Sequence, residues 1–181
     1  MKMGAPFIFD RLPHELRARA VLTRLPAMSG KPIRLHAVPG LKDARGAVHG
    51  AAFLRERRIA FDCSAAEFPR IFVHELFHFV WTRAGNPKRW RYEELLRNEQ
   101  LAGARGELGW SAEWRKRALS PWQVLDRARE WREYSCESFC DTAAWLYSGT
   151  AHHPEFTLAT KWRRRRELWF RQELGYGPLP L

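Results

Sequence analysis

Between Phe68 and Trp81 the chain reads FPRIFVHELFHFVW, an apolar stretch with two histidines and a glutamate set into it. Ile71, Phe72, Val73, Leu76, Phe77, Phe79 and Val80 leave almost no polar face, so a helix made of them has to be buried. Buried with it, His74, Glu75 and His78 each need a partner, because an uncompensated polar group in an apolar interior costs about 2–7 kcal/mol. His74 and His78 are four residues apart and lie one above the other on one helical face, with Cβ atoms about 5–6 Å apart. Both imidazoles can then reach a single cation, with Glu75 beside them.

The flanking residues support a helix at this place. Ser64-Ala-Ala-Glu67 has capping-box spacing, which starts the helix between Ser64 and Pro69 and carries it to about Thr82, ahead of Gly85-Asn86-Pro87. Upstream, Phe7–Leu25 reads as helical or irregular between Pro13 and Pro26, and Ile33–Val38 alternates as a strand ended by Pro39-Gly40. Val48–Leu54 and Arg57–Cys63 read as two strands around a tight polar turn at Arg55–Arg57, which is a hairpin. Downstream come a polar helix, Arg89–Ala102, and a Trp-rich stretch around Gly109 and Trp114. A second capping box, Ser120-Pro121-Trp122-Gln123, opens a helix expected to run to about Ser148, before Gly149. A basic helix from about Thr157 to Leu174 ends the series. Strands followed by helices give an α+β fold. The expected form is a single domain over residues 1–181, core about 33–148, with a small antiparallel sheet or hairpin packed on the two site-bearing helices.

Two histidines with this spacing fit a catalytic zinc site, which takes three protein ligands and keeps a position for water. The Ser120–Ser148 helix supplies the third ligand. Glu137 and Asp141 share one of its faces, so Glu137 can bind the metal while Asp141 accepts a hydrogen bond from the outer nitrogen of a ligand histidine. Glu75 then has the position of a general base that takes a proton from a metal-activated water. Cys136 and Cys140 offer a competing arrangement, a closed structural zinc site shared with the histidines, although known structural sites prefer tighter cysteine spacings.

His74-Glu75-x-x-His78 followed by Glu137-x-x-x-Asp141 resembles the gluzincin clan of zinc metallopeptidases, over roughly Val48–Ser148. In size and order the chain is closest to minimal gluzincins and ImmA/IrrE-type metallopeptidases. The resemblance implies a zincin-like domain with Zn2+ as cofactor, peptide or protein as substrate, and a sheet edge that binds extended peptide. Aligning Phe139-Cys140 with the Phe-Ala of the ImmA/IrrE-type second motif makes Glu133 the third ligand in place of Glu137. Thermolysin-like enzymes stabilise the oxyanion with a downstream histidine or tyrosine, and Tyr134, Tyr147, His152 and His153 are the residues available for that role. Which of Phe53, Arg55, Arg58 or the tryptophans would line a substrate cleft stays open.

Composition sets the remaining bounds. A chain of 181 residues with 45% hydrophobic content is long enough for one sizeable core, and three cysteines are too few for a disulfide framework, which points to a reducing compartment. Met1–Asp10 lacks the apolar core of a leader, and no stretch reaches the ~18 apolar residues of a membrane span, so the expected location is cytoplasmic, without membrane contact. Against 20 acidic residues stand 31 basic ones, a net charge of +11. This excess bears on association and leaves the chemistry unaddressed. Arg163–Arg166 beside Trp162 and Trp169 reads either as a solvated face or as a nucleic-acid contact. The competing functional class is therefore a basic nucleic-acid- or partner-binding protein on the same scaffold, with little or no proteolysis.

Overall fold

A computed structural model describes residues 7–181. Residues 1–6, which hold most of the segment judged to lack a leader, lie outside the described residues. The strand-rich half comes first: β1 (Phe7–Asp10), α1 (Glu15–Leu22), β2 (Met28–Ser29), β3 (Ile33–Ala37), β4 (Lys42–Asp43), β5 (Gly46–Ala47), β6 (Gly50–Phe53) and β7 (Arg58–Phe61). Helices follow: α2 (Phe68–Arg83), α3 (Asn86–Leu101), α4 (Trp110–Ala118), α5 (Pro121–Leu125), α6 (Arg129–Tyr147) and α7 (Thr160–Leu174), with β8 (Leu179–Pro180) near the end. The α+β arrangement holds.

The main sheet has the order β1-β3-β7-β6. The expected hairpin is present as the antiparallel pair β6-β7, with Gly50 opposite Phe61 and Phe53 opposite Arg58. The sheet as a whole is not antiparallel, however, because β1-β3 and β3-β7 are both parallel pairs. The stretch first read as helical or irregular supplies β1, and α1 is the crossover that lets β1 and β3 run in the same direction. Phe7 and Phe9 turn toward the core while Ile8 stays half exposed, a period of two too short to stand out in the sequence. β6 is left as an edge strand.

α2 lies against this sheet: Phe61 meets Phe68 and Phe72, with ring centroids 4.9 and 6.1 Å apart. Ten of its sixteen residues are buried, His74 among them. Its other side packs along α6, whose small residues Ser135, Ser138, Ala143 and Ala144 are all buried and let the two helices come close. α7 closes the far side with a buried stripe of Trp162, Arg166, Trp169 and Phe170, and Phe170 stacks on Phe139 of α6 at 4.9 Å.

The single helix expected over Ser120–Ser148 is in fact two. The Ser120/Gln123 capping box forms, but Arg127 takes a left-handed backbone with φ 50°, which no helix can continue through, and α6 restarts at Arg129. At Ser64–Glu67 half a capping box forms: the Glu67 amide donates to Ser64 Oγ at 3.3 Å, while the Glu67 carboxylate is taken by Arg70 and His153. Among the described residues, no helix is long and apolar enough to cross a membrane.

Candidate metal centre

The site begins with one carboxylate that ties three helices together. His74 Nδ1–H on α2 donates to Asp141 Oδ1 on α6 at 2.7 Å, and Asp141 Oδ2 accepts the Ala112 amide of α4 at 3.1 Å. Gly109, just ahead of α4, passes so close that a Cβ there would stand 2.2 Å from the Asp141 carboxyl carbon. With Nδ1 engaged, His74 presents Nε2, which lies 3.2 Å from Glu137 Oε2 and 3.3 Å from His78 Nε2. The outer nitrogen of His78, Nδ1, is 3.4 Å from Cys136 Sγ. Each ring is thus held from α6 at one nitrogen, and the other nitrogens turn toward a common point.

His74, His78 and Glu137 offer ligand atoms all within 4.8 Å of one another. Ligands about 2.0–2.1 Å from a tetrahedral ion stand about 3.3 Å from each other, which the observed 3.2 and 3.3 Å separations match. The donor set therefore fits a divalent cation. Negative charge also gathers around the two rings. Burial works against a charge on His74, but Asp141, Glu137 and Glu75 outweigh it and raise its pKa well above the ordinary imidazole range. Burial likewise opposes a charge on His78, and Cys136, Glu137 and Glu75 push its pKa up to about 9. Burial would raise Glu137, yet its hydrogen bond with His74 and the positive charge of His78, His74 and Arg115 hold it well below the usual carboxylate range. The raised values belong to the protonated rings, so a cation bound at the two Nε2 atoms takes the place of those protons.

The cluster opens on a cleft of about 380 Å³. Its walls are the β4-β5 hairpin, the first residue of β6, and Trp110, Trp114 and Arg115 of α4, with His74, Glu75, His78 and Glu137 on its floor. Edge strand β6 runs directly over Glu75: a Cβ on Gly50 would be 2.9 Å from Glu75 Cγ and 2.6 Å from Ile71 Cγ2.

Several candidate residues lie elsewhere. Glu133 points away and pairs with Arg129 at 2.6 Å. Tyr134 is fully buried and donates to Glu107 Oε1 at 2.6 Å, so its hydroxyl is already used. Tyr147 stacks on Phe77, His152 is exposed, and His153 lies 3.2 Å from Glu67. None of these five lines the cleft. Cys136 and Cys140 do form a second ligand set with His78, within the same 4.8 Å limit. Within this pair burial and the bond with Cys136 push the Cys140 thiol well up, while the bond from Cys140 and the neighbouring His78 bring Cys136 down to about 6, so one of the two cysteines favours the thiolate a metal needs and the other opposes it.

The sequence reading missed α4 and the hairpin as cleft walls. Its one signal was Gly109 ahead of a Trp-bearing helical stretch. It also missed that Arg166 is fully buried, donating to Glu99 Oε2 at 2.7 Å and Glu107 Oε2 at 2.6 Å, while Arg164 and Arg165 stay exposed. No protein-family model, no curated protein and no solved structure matches the chain.

Proposed function

We propose that the chain is a small zinc-dependent metallopeptidase of gluzincin type, with His74, His78 and Glu137 as ligands and Glu75 as general base. The observation that carries this reading is the convergence of two Nε2 atoms and one carboxylate, at separations suited to a tetrahedral ion, on a cleft that Glu75 also lines. Zinc bound there supplies Lewis acidity that activates water and polarises a peptide carbonyl. Glu75, next to His74 on α2, takes the proton of the attacking water and passes it to the leaving amine. Asp141 and Cys136 hold the outer nitrogens of the histidines, fixing ring orientation and keeping each Nε2 turned inward. An extended peptide adds to the free edge of β6 as a further strand, and the missing side chain at Gly50 keeps the approach to Glu75 open.

The test combines zinc content after dialysis with cleavage of an internally quenched peptide library. Zinc is expected in equimolar amount, and Glu75→Gln should retain it while cleavage falls about 10²–10⁴-fold. Full cleavage by Glu75→Gln would remove the mechanism. A protein that binds no zinc would remove the site.

A further inference from the structure

Three arginines line the cleft, and they are not equivalent. Arg70 is committed, bonding Glu67 at 2.9 Å and Glu155 at 3.0 Å. Arg115 is held more loosely: its Nη1 donates to the Ser111 carbonyl at 2.7 Å, its Nη2 forms a long ion pair with Glu137 Oε1 at 3.6 Å, beyond a normal hydrogen bond, and its buried Nε has no partner. Arg45, in the turn between β4 and β5, makes no ion pair among the described residues. Both guanidiniums lie against one indole, with Arg115 4.3 Å and Arg45 4.8 Å from the Trp114 ring centroid.

The carboxylates on the same walls are already occupied. Asp43 Oδ1 accepts the Arg45 and Gly46 amides, and Glu155 accepts the Trp110 amide besides Arg70. Glu137 belongs to the metal ligand set. What the cleft leaves with donors to spare next to that set is a pair of guanidiniums, steadied by the indole and carrying the planar donor groups that suit a carboxylate.

We propose that Arg115 and Arg45, gathered on Trp114, form a specificity subsite that takes a substrate carboxylate close to the cleaved bond. The substrates are acidic peptides: the carboxylate is an Asp or Glu side chain, or the free C-terminus of a short chain. This rests on the metallopeptidase reading and adds its substrate class.

The test measures binding as well as turnover. Zinc-loaded Glu75→Gln protein is titrated with peptides that differ only by Glu, Gln or Lys at each position in turn, each with a free or an amidated C-terminus. Calorimetry and tryptophan fluorescence report binding, the latter because the subsite is built on an indole. If the ligand is a side-chain carboxylate, the Glu peptide should bind about 10-fold tighter or more than its Gln counterpart at one position, the Lys peptide weakest, whether or not the C-terminus is amidated; if it is the free C-terminus, Glu and Gln peptides should bind alike and amidation should cost about 10-fold or more. Adding Arg115→Gln should abolish the preference and Arg45→Gln should weaken it, with the affinity for the Gln peptide unchanged in both and the affinity for zinc unchanged in Arg45→Gln. Should Arg115→Gln fold poorly, Arg45→Gln, on an exposed hairpin, carries the same test. Zinc binding and wild-type cleavage with no preference for acid would overturn the subsite while sparing the metallopeptidase. Loss of zinc affinity in Arg115→Gln with selectivity intact would also overturn it, assigning Arg115 to the support of Glu137. A wild-type protein that binds no zinc overturns the earlier reading itself.

Discussion

Two clusters of buried charge meet α6, and they differ in balance and in closure. Around Arg166 the charges pair off: Glu99 and Glu107 face Arg166 and Lys116, Ser138 and Tyr134 fill remaining hydrogen-bonding positions, and both glutamates and Arg166 are almost wholly shielded from solvent. Around His74 and His78 stand Glu75, Glu137 and Asp141, with Arg115 as the nearby cation, and this group opens on a cleft. The closed cluster has satisfied itself and has nothing left to offer a ligand. The open one keeps a surplus of negative charge and two imidazole nitrogens for something that arrives. They are also linked, since Ser138 of the first directly follows Glu137 of the second. The Arg166 network fixes α6 against α3 and α7, and thereby fixes where Glu137 and Asp141 stand.

The largest effect should follow from breaking the closed cluster. Arg166→Met leaves Glu99 and Glu107 buried without their main cation, which costs about 3–5 kcal/mol of stability. Denaturant titration followed by circular dichroism measures it, and a loss under about 1 kcal/mol would show that the network is not the anchor described. Acid probes the same cluster without mutation. Burial would raise the Glu107 carboxyl, but Arg166, Lys116 and the Tyr134 hydroxyl bring it from 4.5 down to about 2. A carboxyl depressed in the folded state stabilises above its unfolded pKa and loses that contribution as protons bind. Stability should therefore decline as pH falls from about 4.5 toward 2, and Arg166→Met should flatten that decline.

The two clusters were not equally legible in the sequence. His74, Glu75 and His78 stood out because they interrupt a local run of apolar residues on a helix, and Glu137 and Asp141 because a spacing of four puts them on one face. Arg166 was hidden in a run of four arginines that looked solvated on every side. The available signal was its place in the stripe Trp162, Arg166, Trp169, Phe170, which follows helical spacing and faces inward. Its partners Glu99 and Glu107 are 67 and 59 residues away in sequence, and no local pattern announces them. The parallel strand β1 escaped for the same reason, since its pairing with β3 exists only once α1 has turned the chain. The break at Arg127 was missed because a left-handed arginine has no local sequence signature, unlike the Gly149 stop.

The open cluster should respond to a smaller change in a different way. Asp141→Asn keeps the size of the side chain and an oxygen for the Ala112 amide, but removes the charge that orients His74. Loss of such an outer partner lowers metal affinity about 10–100-fold. Competition with a chromogenic zinc chelator measures this, and stability should change much less than in Arg166→Met. Unchanged zinc affinity would mean that the Asp141–His74 contact serves packing alone.

The smallest expected effect is the most discriminating. Glu133 and Glu137 lie four residues apart on α6, and either is chemically able to be the third ligand. Glu133, however, sits in an exposed pair with Arg129, an interaction worth about 0–1 kcal/mol. Glu133→Ala should leave zinc affinity unchanged and stability within about 0.5 kcal/mol, because solvent replaces everything the side chain touches. Glu137→Ala should lower zinc affinity further than Asp141→Asn does, since in the proposed site it removes a ligand and not a ligand's support. If the two glutamate variants lost zinc equally, the unbalanced charge around His74 would not be what holds the metal, and the contrast between an open and a closed cluster on α6 would fail at its centre.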